Sequence, residues 1–483
     1  MQIIIGRDNE KRELKDIYNS GKPEFVVVYG RRRIGKTFLI RELFSEQFAF
    51  YHTGLSPVET DEENMLLNQL QSFAISLKNY GLTNVKHPKK WIEAFEMLKE
   101  LILQKINENP KQRQVIFIDE MPWMDTPRSN FIPAFEHFWN GWCAGRTEIM
   151  LIVCGSATSW VSDNLMHNKG GLYGRLTQEI KLHPFSLKEC ESYYESNNIV
   201  MDRYSQLQTY MLLGGVPYYL SFLKKGLSLE QNIELLLTGK NAKLRNELDQ
   251  LFRSLFNNHE ECLKIIRMLA SRHSGYTRKE IAEKLNIPYG GGLTRTLWML
   301  EESDFIKQYT YYGKPSKETR YRLVDFFCLC AISILERETK PDAKTWLAPS
   351  KQKVMDAWFG FAFETLCWNH ISQIKKALGI PNVQTEEFSW RAEANEEHNG
   401  AQIDLIIRRA DRIINLCEMK FSVGEYTIDK NDDESIRNKE MVFKQLTKCK
   451  ESIYPTLVTT YGLISNKYSH RIQSTITMDD LFE

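Results

Sequence analysis

The sequence predicts an α/β fold built on a parallel sheet, and three stretches carry that prediction. Phe25-Val-Val-Val-Tyr29, Val115-Ile-Phe-Ile118 and Ile149-Met-Leu-Ile-Val-Cys154 are short apolar runs, the pattern of strands buried on both faces. Each ends in glycine, acidic or small polar residues. Open sheets of this kind bind ligands beyond the carboxyl ends of their strands, so the three ends are expected to share one crevice.

The first strand runs directly into Gly30-Arg-Arg-Arg-Ile-Gly-Lys-Thr37, and the residues from Thr37 to Phe44 read as a helix. Strand, loop and helix together give G-x-x-x-x-G-K-[ST] the context of a phosphate-binding loop. Gly30 and Gly35 let the backbone turn, so that the loop residues Arg31, Arg32, Arg33 and Ile34 cradle a nucleotide. The N–H groups from Arg32 to Thr37 converge on its β-phosphate, and the helix N-terminus adds its dipole. Lys36 reaches the β- and γ-phosphates, and the Thr37 hydroxyl is placed for Mg2+.

The second strand ends in Asp119 and Glu120. Asp119 is expected to hold the magnesium, through Thr37 or water, and Glu120 to act as general base on the attacking water. The third reaches Ser156, which serves either the γ-phosphate or the N-cap of the next helix. Gly170-Gly-Leu-Tyr-Gly-Arg175 follows, and Arg175 is either an arginine finger for a neighbour's γ-phosphate or an ordinary surface arginine.

The remaining chain is long enough for further domains. At 483 residues a single core is too small a solution. Lys and Arg number 63 against 62 Asp and Glu, a net charge of +1, so any nucleic-acid surface has to be a local patch. The nine cysteines show no zinc spacing. The start has no signal-peptide layout and no apolar run spans a bilayer, which predicts a cytoplasmic protein without membrane contact.

Residues 1–183 are read as the nucleotide-binding core and 184–258 as a helical lid broken at Gly214-Gly-Val-Pro217. Residues 259–338 read as helix, helix, turn, helix and β-ribbon, the winged-helix order. Twelve basic against nine acidic residues between Glu260 and Asp325 leave either DNA or a protein as its partner. Arg295, Lys314, Lys317 and Arg320 are its expected phosphate contacts. A linker is expected over 340–353, and an α/β tail over 350–483.

In that tail Gln402 to Ile407 and Ile413 to Lys420 read as strands carrying Asp404, Glu418 and Lys420. This is the spacing of a PD-(D/E)xK nuclease core. Two carboxylates on adjacent strands can hold Mg2+ or Mn2+ through hard oxygen ligands. Lys420 lies two residues from Glu418 and so shares its face, where it would stabilise charge on the phosphate. Glu364, on a helix among apolar residues, is either a third metal ligand or a surface acid. The tail is therefore a metal-dependent DNA-cleaving domain or a non-catalytic docking platform.

Ile5-Gly-Arg7, Tyr29 to Thr37, Phe117-Ile-Asp-Glu120 and Gly214-Gly-Val-Pro217, followed by the two tail modules, resemble a prokaryotic, archaeal-type ATPase family related to the AAA+ and STAND ATPases. The resemblance implies ATP hydrolysis at Lys36, Thr37, Asp119 and Glu120, under a helical lid. It also implies that Ile3 to Arg7 covers the adenine. Such proteins work as nucleotide-gated switches or assemblies, which adds a homo-oligomer to the expected partners ATP and DNA. Where they often carry an asparagine sensor, this chain offers Ser156.

Overall fold

The computed structural model describes residues 3–56, 64–168, 170–313, 319–336, 352–396 and 398–483. Most of the expected linker, and both Lys314 and Lys317, lie outside the described residues. The chain divides into two compact units. The first comprises 1–184 with 251–259 and 302–304; the second comprises 185–250, 260–301 and 305–483.

The first unit holds a five-stranded parallel sheet of β1 (Glu24–Tyr29), β2 (Phe48–Thr53), β3 (Gln114–Asp119), β4 (Ile149–Gly155) and β5 (Gln178–Lys181). Its order is β2-β3-β4-β1-β5. Alternation along each strand splits its side chains between two cores. Phe25, Val27, Ile116, Ile118, Leu151 and Val153 pack on one face with the aromatic cluster of Trp91, Phe95, Phe131, Phe135 and Phe138. Val26, Val28, Val115, Phe117, Met150 and Ile152 pack on the other with Leu14, Leu39, Ile40 and Phe44. Both faces are thus covered, as the continuous apolar runs require.

Two glycines are fixed by close approach. Gly30 has φ +133, and a Cβ there would stand 2.3 Å from the Leu182 carbonyl oxygen. A Cβ on Gly155 would stand 2.8 Å from the Pro122 ring. Gly30→Ala combines a forbidden backbone region with a backbone clash. It is expected to cost about 2–4 kcal/mol of stability, read from the denaturation midpoint.

In the second unit, Leu187–Ser196 and Arg203–Leu213 are helices with side-chain caps at Ser186 and Asp202. The second stops at Gly214 and Gly215, both with positive φ. A Cβ on Gly215 would meet the Phe185 carbonyl oxygen at 2.3 Å. The Gly-Gly break is therefore a packed corner. Next come helices His259–Ala270, Arg278–Leu285 and Gly291–Glu302. With them stands a small antiparallel sheet of β6 (Tyr276–Thr277), β7 (Ile306–Tyr309) and β8 (Arg320–Leu323), in the order β6-β8-β7.

The tail carries a mixed five-stranded sheet of β9 (Thr385–Ala392), β10 (Ala401–Arg409), β11 (Ile413–Lys420), β12 (Ser452–Thr459) and β13 (Ser474–Ile476). β9, β10 and β11 pair antiparallel, and β11, β12 and β13 parallel. Val442 and Phe443, from helix Lys430–Thr447, close one face over Trp390, Ile403, Ile406 and Leu416. At the outer edge of β9 the Tyr312 N–H donates to the Ser389 carbonyl at 3.0 Å, and the Ser389 N–H to the Thr310 carbonyl at 3.3 Å. Among the described residues no helix is long and apolar enough to cross a membrane.

Candidate active site

The phosphate-binding loop joins β1 to helix Lys36–Phe44, whose N-cap is Gly35 in the left-handed region. Arg31 and Ile34 are buried, and Arg33 takes φ 71. The Lys36 ammonium donates to the Gly30 and Arg31 carbonyl oxygens, both at 2.8 Å, so it bridges the loop. Arg32 lies over the Trp123 ring at 5.8 Å. Arg7 donates to the carbonyl oxygens of Ile34 (3.3 Å) and His183 (2.6 Å), which ties the N-terminal segment to the loop.

β3 delivers the two acids. The Thr37 hydroxyl donates to Asp119 Oδ2 at 2.8 Å, although β4 lies between β3 and β1 in the sheet. Burial, and next the Glu120 charge, push the Asp119 carboxyl up; Thr37 and Lys36 oppose them. Glu120 sits at φ 45, and that left-handed turn swings its side chain towards β4. There the Ser156 N–H (3.1 Å) and hydroxyl (2.8 Å) donate to Glu120 Oε2. Ser156 therefore binds the acid, while Ala157 occupies the N-cap of helix Thr158–Val161. Lys36, Thr37, Asp119, Glu120 and Ser156 form one linked group at the carboxyl ends of β1, β3 and β4. Arg175 stands apart from that network on an exposed turn, its N–H donating to the Leu172 carbonyl.

A second acidic cluster occupies the tail. Between Ile403 and Ile406 the pairing of β10 with β9 shifts, because three steps on β10 match two on β9. The extra residue is a β-bulge at Asp404–Leu405, a device that re-aims a side chain. The Trp368 indole N–H donates to the Asp404 carbonyl oxygen at 3.1 Å and satisfies the backbone there. Leu405 pairs with Cys417 on β11, so extending that register by one step sets Asp404 opposite Glu418. Like charges directly opposite destabilise a sheet. The Lys420 and Lys439 ammonium groups on Glu418 offset that repulsion.

Glu418 has two ammonium partners: Lys420 Nζ is 3.1 Å from Oε1 and Lys439 Nζ 2.5 Å from Oε2. Burial raises the Glu418 carboxyl, and Lys439 and Lys420 outweigh that, leaving it below the usual range. Asp404 is pushed up by burial and by Glu418, against a hydrogen bond from Gln402. Glu364 rises to about 8, through burial first and Asp404 second. Glu364 thus belongs to the acid cluster. The three carboxylates are the hard oxygen donors that Mg2+ or Mn2+ prefers. Among the described residues, however, no three acidic, histidine or cysteine groups are gathered closely enough to hold a metal ion. The chemistry of the set fits a divalent cation, and one of its members, Glu418, is held by Lys420 and Lys439.

The raised Glu364 has a consequence for stability. Its folded value of about 8 lies above the usual 4.5, so between those pH values the folded chain retains a proton that the unfolded chain has lost. Stability therefore falls as pH rises through that window. Thermal unfolding across it is expected to show a shallower pH slope in Glu364→Gln than in the wild type. An identical slope would place the titration elsewhere.

Sequence reasoning missed three contributors to these sites. The Asp404 bulge depends on the partner strand, and Lys439 lies on a polar helix with no motif around it. Glu120's tie to Ser156 needs the left-handed turn. Arg320, expected to face outward, instead donates to Glu280 Oε2 at 3.2 Å and to the Gly275 carbonyl at 3.1 Å.

Residues 5–223 match a family model described as an ATPase domain predominantly from Archaea. This segment is similar to an archaeal-type ATPase domain. An uncharacterized protein of Methanocaldococcus jannaschii is 25% identical over 421 residues, 84% of each chain. Among solved structures, a Walker-type ATPase of Pyrococcus abyssi is similar at TM-score 0.48 and 18% identity, over 68% of this chain and 96% of that one. The Aeropyrum pernix ORC2 protein, in ADPNP and ADP complexes, is similar at 0.41 and 15%, over 68% and 93%. At such TM-scores neither likeness bears on function.

Proposed function

We propose that this ATPase domain works as a Mg-ATP-dependent switch that governs a DNA-binding, metal-dependent DNA-cleaving tail. The observation that carries the first half is the linked group of Lys36, Thr37, Asp119, Glu120 and Ser156. The loop from Gly30 to Thr37 binds the phosphates, and Thr37 with Asp119 would hold Mg2+. That ion, when bound, would supply charge neutralisation at the phosphates. Glu120 orients the attacking water and accepts its proton, with Ser156 fixing the carboxylate. Arg175, exposed and outside this group, would serve a neighbouring copy in a homo-oligomer.

The domain plan proposed is an ATPase core at 1–183, a lid at 184–258, a winged helix at 259–338 and a nuclease-like tail at 350–483. Helices followed by the antiparallel ribbon β7–β8 support the winged helix. The family match runs to residue 223, while residues 185–250 belong to the same compact unit as the tail sheet. That continuity supports control of the tail by the nucleotide. In the tail, Glu364, Asp404 and Glu418 would have to draw closer together to hold Mg2+ or Mn2+, and Lys420 would stabilise charge on the scissile phosphate. The cation there would supply a water of lowered pKa.

A second reading is favoured by the two lysines on Glu418, which satisfy that carboxylate internally. In it the chain is a nucleotide-gated DNA-binding or regulatory protein whose tail is a docking platform. The test incubates wild-type protein with DNA and Mg2+ or Mn2+, with and without ATP. Cleavage is expected on the first reading. ATP hydrolysis with no cleavage under any condition establishes the second.

A further inference from the structure

A cavity of about 700 Å³ opens at the end of the tail sheet away from Asp404. Its walls are the start of β9, the turn between β10 and β11, and the segment from Thr447 to Glu451 that leads into β12. Five cationic side chains line it, Arg408, Arg409, Arg412, Lys448 and Lys450, against the carboxylates of Glu386 and Glu451. In a chain with net charge +1, this is the kind of local positive patch that a nucleic-acid surface requires.

The cations differ in their commitments. Arg408 is held by Glu451 Oε1, with Nη2 at 2.9 Å, and Arg409 pairs with Asp411. These pairs brace the wall. Arg412, Lys448 and Lys450 make no ion pair with any described residue. Arg412 and Lys448 both sit at left-handed turns, with φ 67 and 53. Tyr312 lines the same cavity, its ring packed against Phe388 and Phe443. By contrast, Arg278 lies over Tyr289, and Arg320 is bonded to Glu280.

We propose that this cavity binds the sugar-phosphate backbone of a nucleic acid, with Arg412, Lys448 and Lys450 as its phosphate contacts. The inference rests on the DNA-directed reading of the tail and gives that reading a location. From Asp404 to Arg409 is five residues of β10, roughly 17 Å at the usual strand rise. A strand held in the cavity could therefore continue past the acid cluster.

The test compares wild-type protein with Arg412→Gln/Lys448→Gln/Lys450→Gln in binding a short fluorescent DNA duplex over a range of salt concentrations. Thermal melting checks that the variant folds. The variant is expected to bind at least about tenfold more weakly, and its salt slope to fall by about two to three, the loss of three phosphate contacts. Unchanged affinity and slope in the triple variant would overturn the proposal, whatever the effect of Arg295→Glu. Pyrophosphate binding, measured in a Lys36→Ala background, separates the phosphate sources. If the triple variant loses pyrophosphate and keeps DNA, the ligand is a free anion and the proposal fails. A wild-type protein that binds no DNA at any salt overturns the DNA-directed reading itself.

Discussion

Lys36→Ala is expected to lower ATP turnover by at least about a hundredfold to a thousandfold, the usual effect of removing a preorganised donor from a developing phosphate charge. The Lys36 ammonium is buried and bonded to two loop carbonyls, so the loop fixes its position. Its removal takes away both the charge and a tie across the loop. Steady-state phosphate release reads the loss, and a melting curve checks that the sheet remains intact. An unchanged rate would sink the assignment of this loop. Glu120→Gln offers a complementary variant: it retains the Ser156 contacts and the phosphate cradle while removing the proton acceptor. Nucleotide binding should survive it, and turnover should not.

The second large effect is expected at Asp404. Asp404→Ala removes the residue that the β10 bulge aims at the acid cluster, and metal-dependent DNA cleavage should end while ATP hydrolysis continues. Lys420→Ala should give the same separation by a different route, since it leaves both carboxylates in place. Cleavage that survives both variants would come from another site. The two activities are thus expected to be lost independently, one with the first unit and one with the tail.

Much of the first site was legible because its signals are local. The apolar runs of β1, β3 and β4 alternate between two cores, and the residues after them are fixed by strand direction. β2 and β5 escaped: Phe48–Thr53 mixes aromatic and polar residues, and Gln178–Lys181 is a short polar edge strand. Their places come from pairing with β3 and β1, which no window of sequence contains. In the tail, the spacing of Asp404, Glu418 and Lys420 was readable from strand periodicity. The bulge, the cross-strand opposition and the Lys439 partner were not, because each depends on a second element. Glu364 was legible only as a carboxylate among apolar neighbours. What distinguishes it is proximity to Asp404, a tertiary fact.

The hydrogen bonds that Thr310 and Tyr312 exchange with Ser389 have a practical consequence for work on the tail. β9 ends the five-stranded sheet, and these bonds cover part of its outer edge. A fragment beginning after the ribbon would carry that edge uncovered, with free N–H and carbonyl groups available to any other strand. Such a fragment is prone to self-association through strand pairing, whatever the condition of its acid cluster. Dissection of this protein is therefore best made on the amino-terminal side of residue 305, so that the ribbon travels with the sheet it protects.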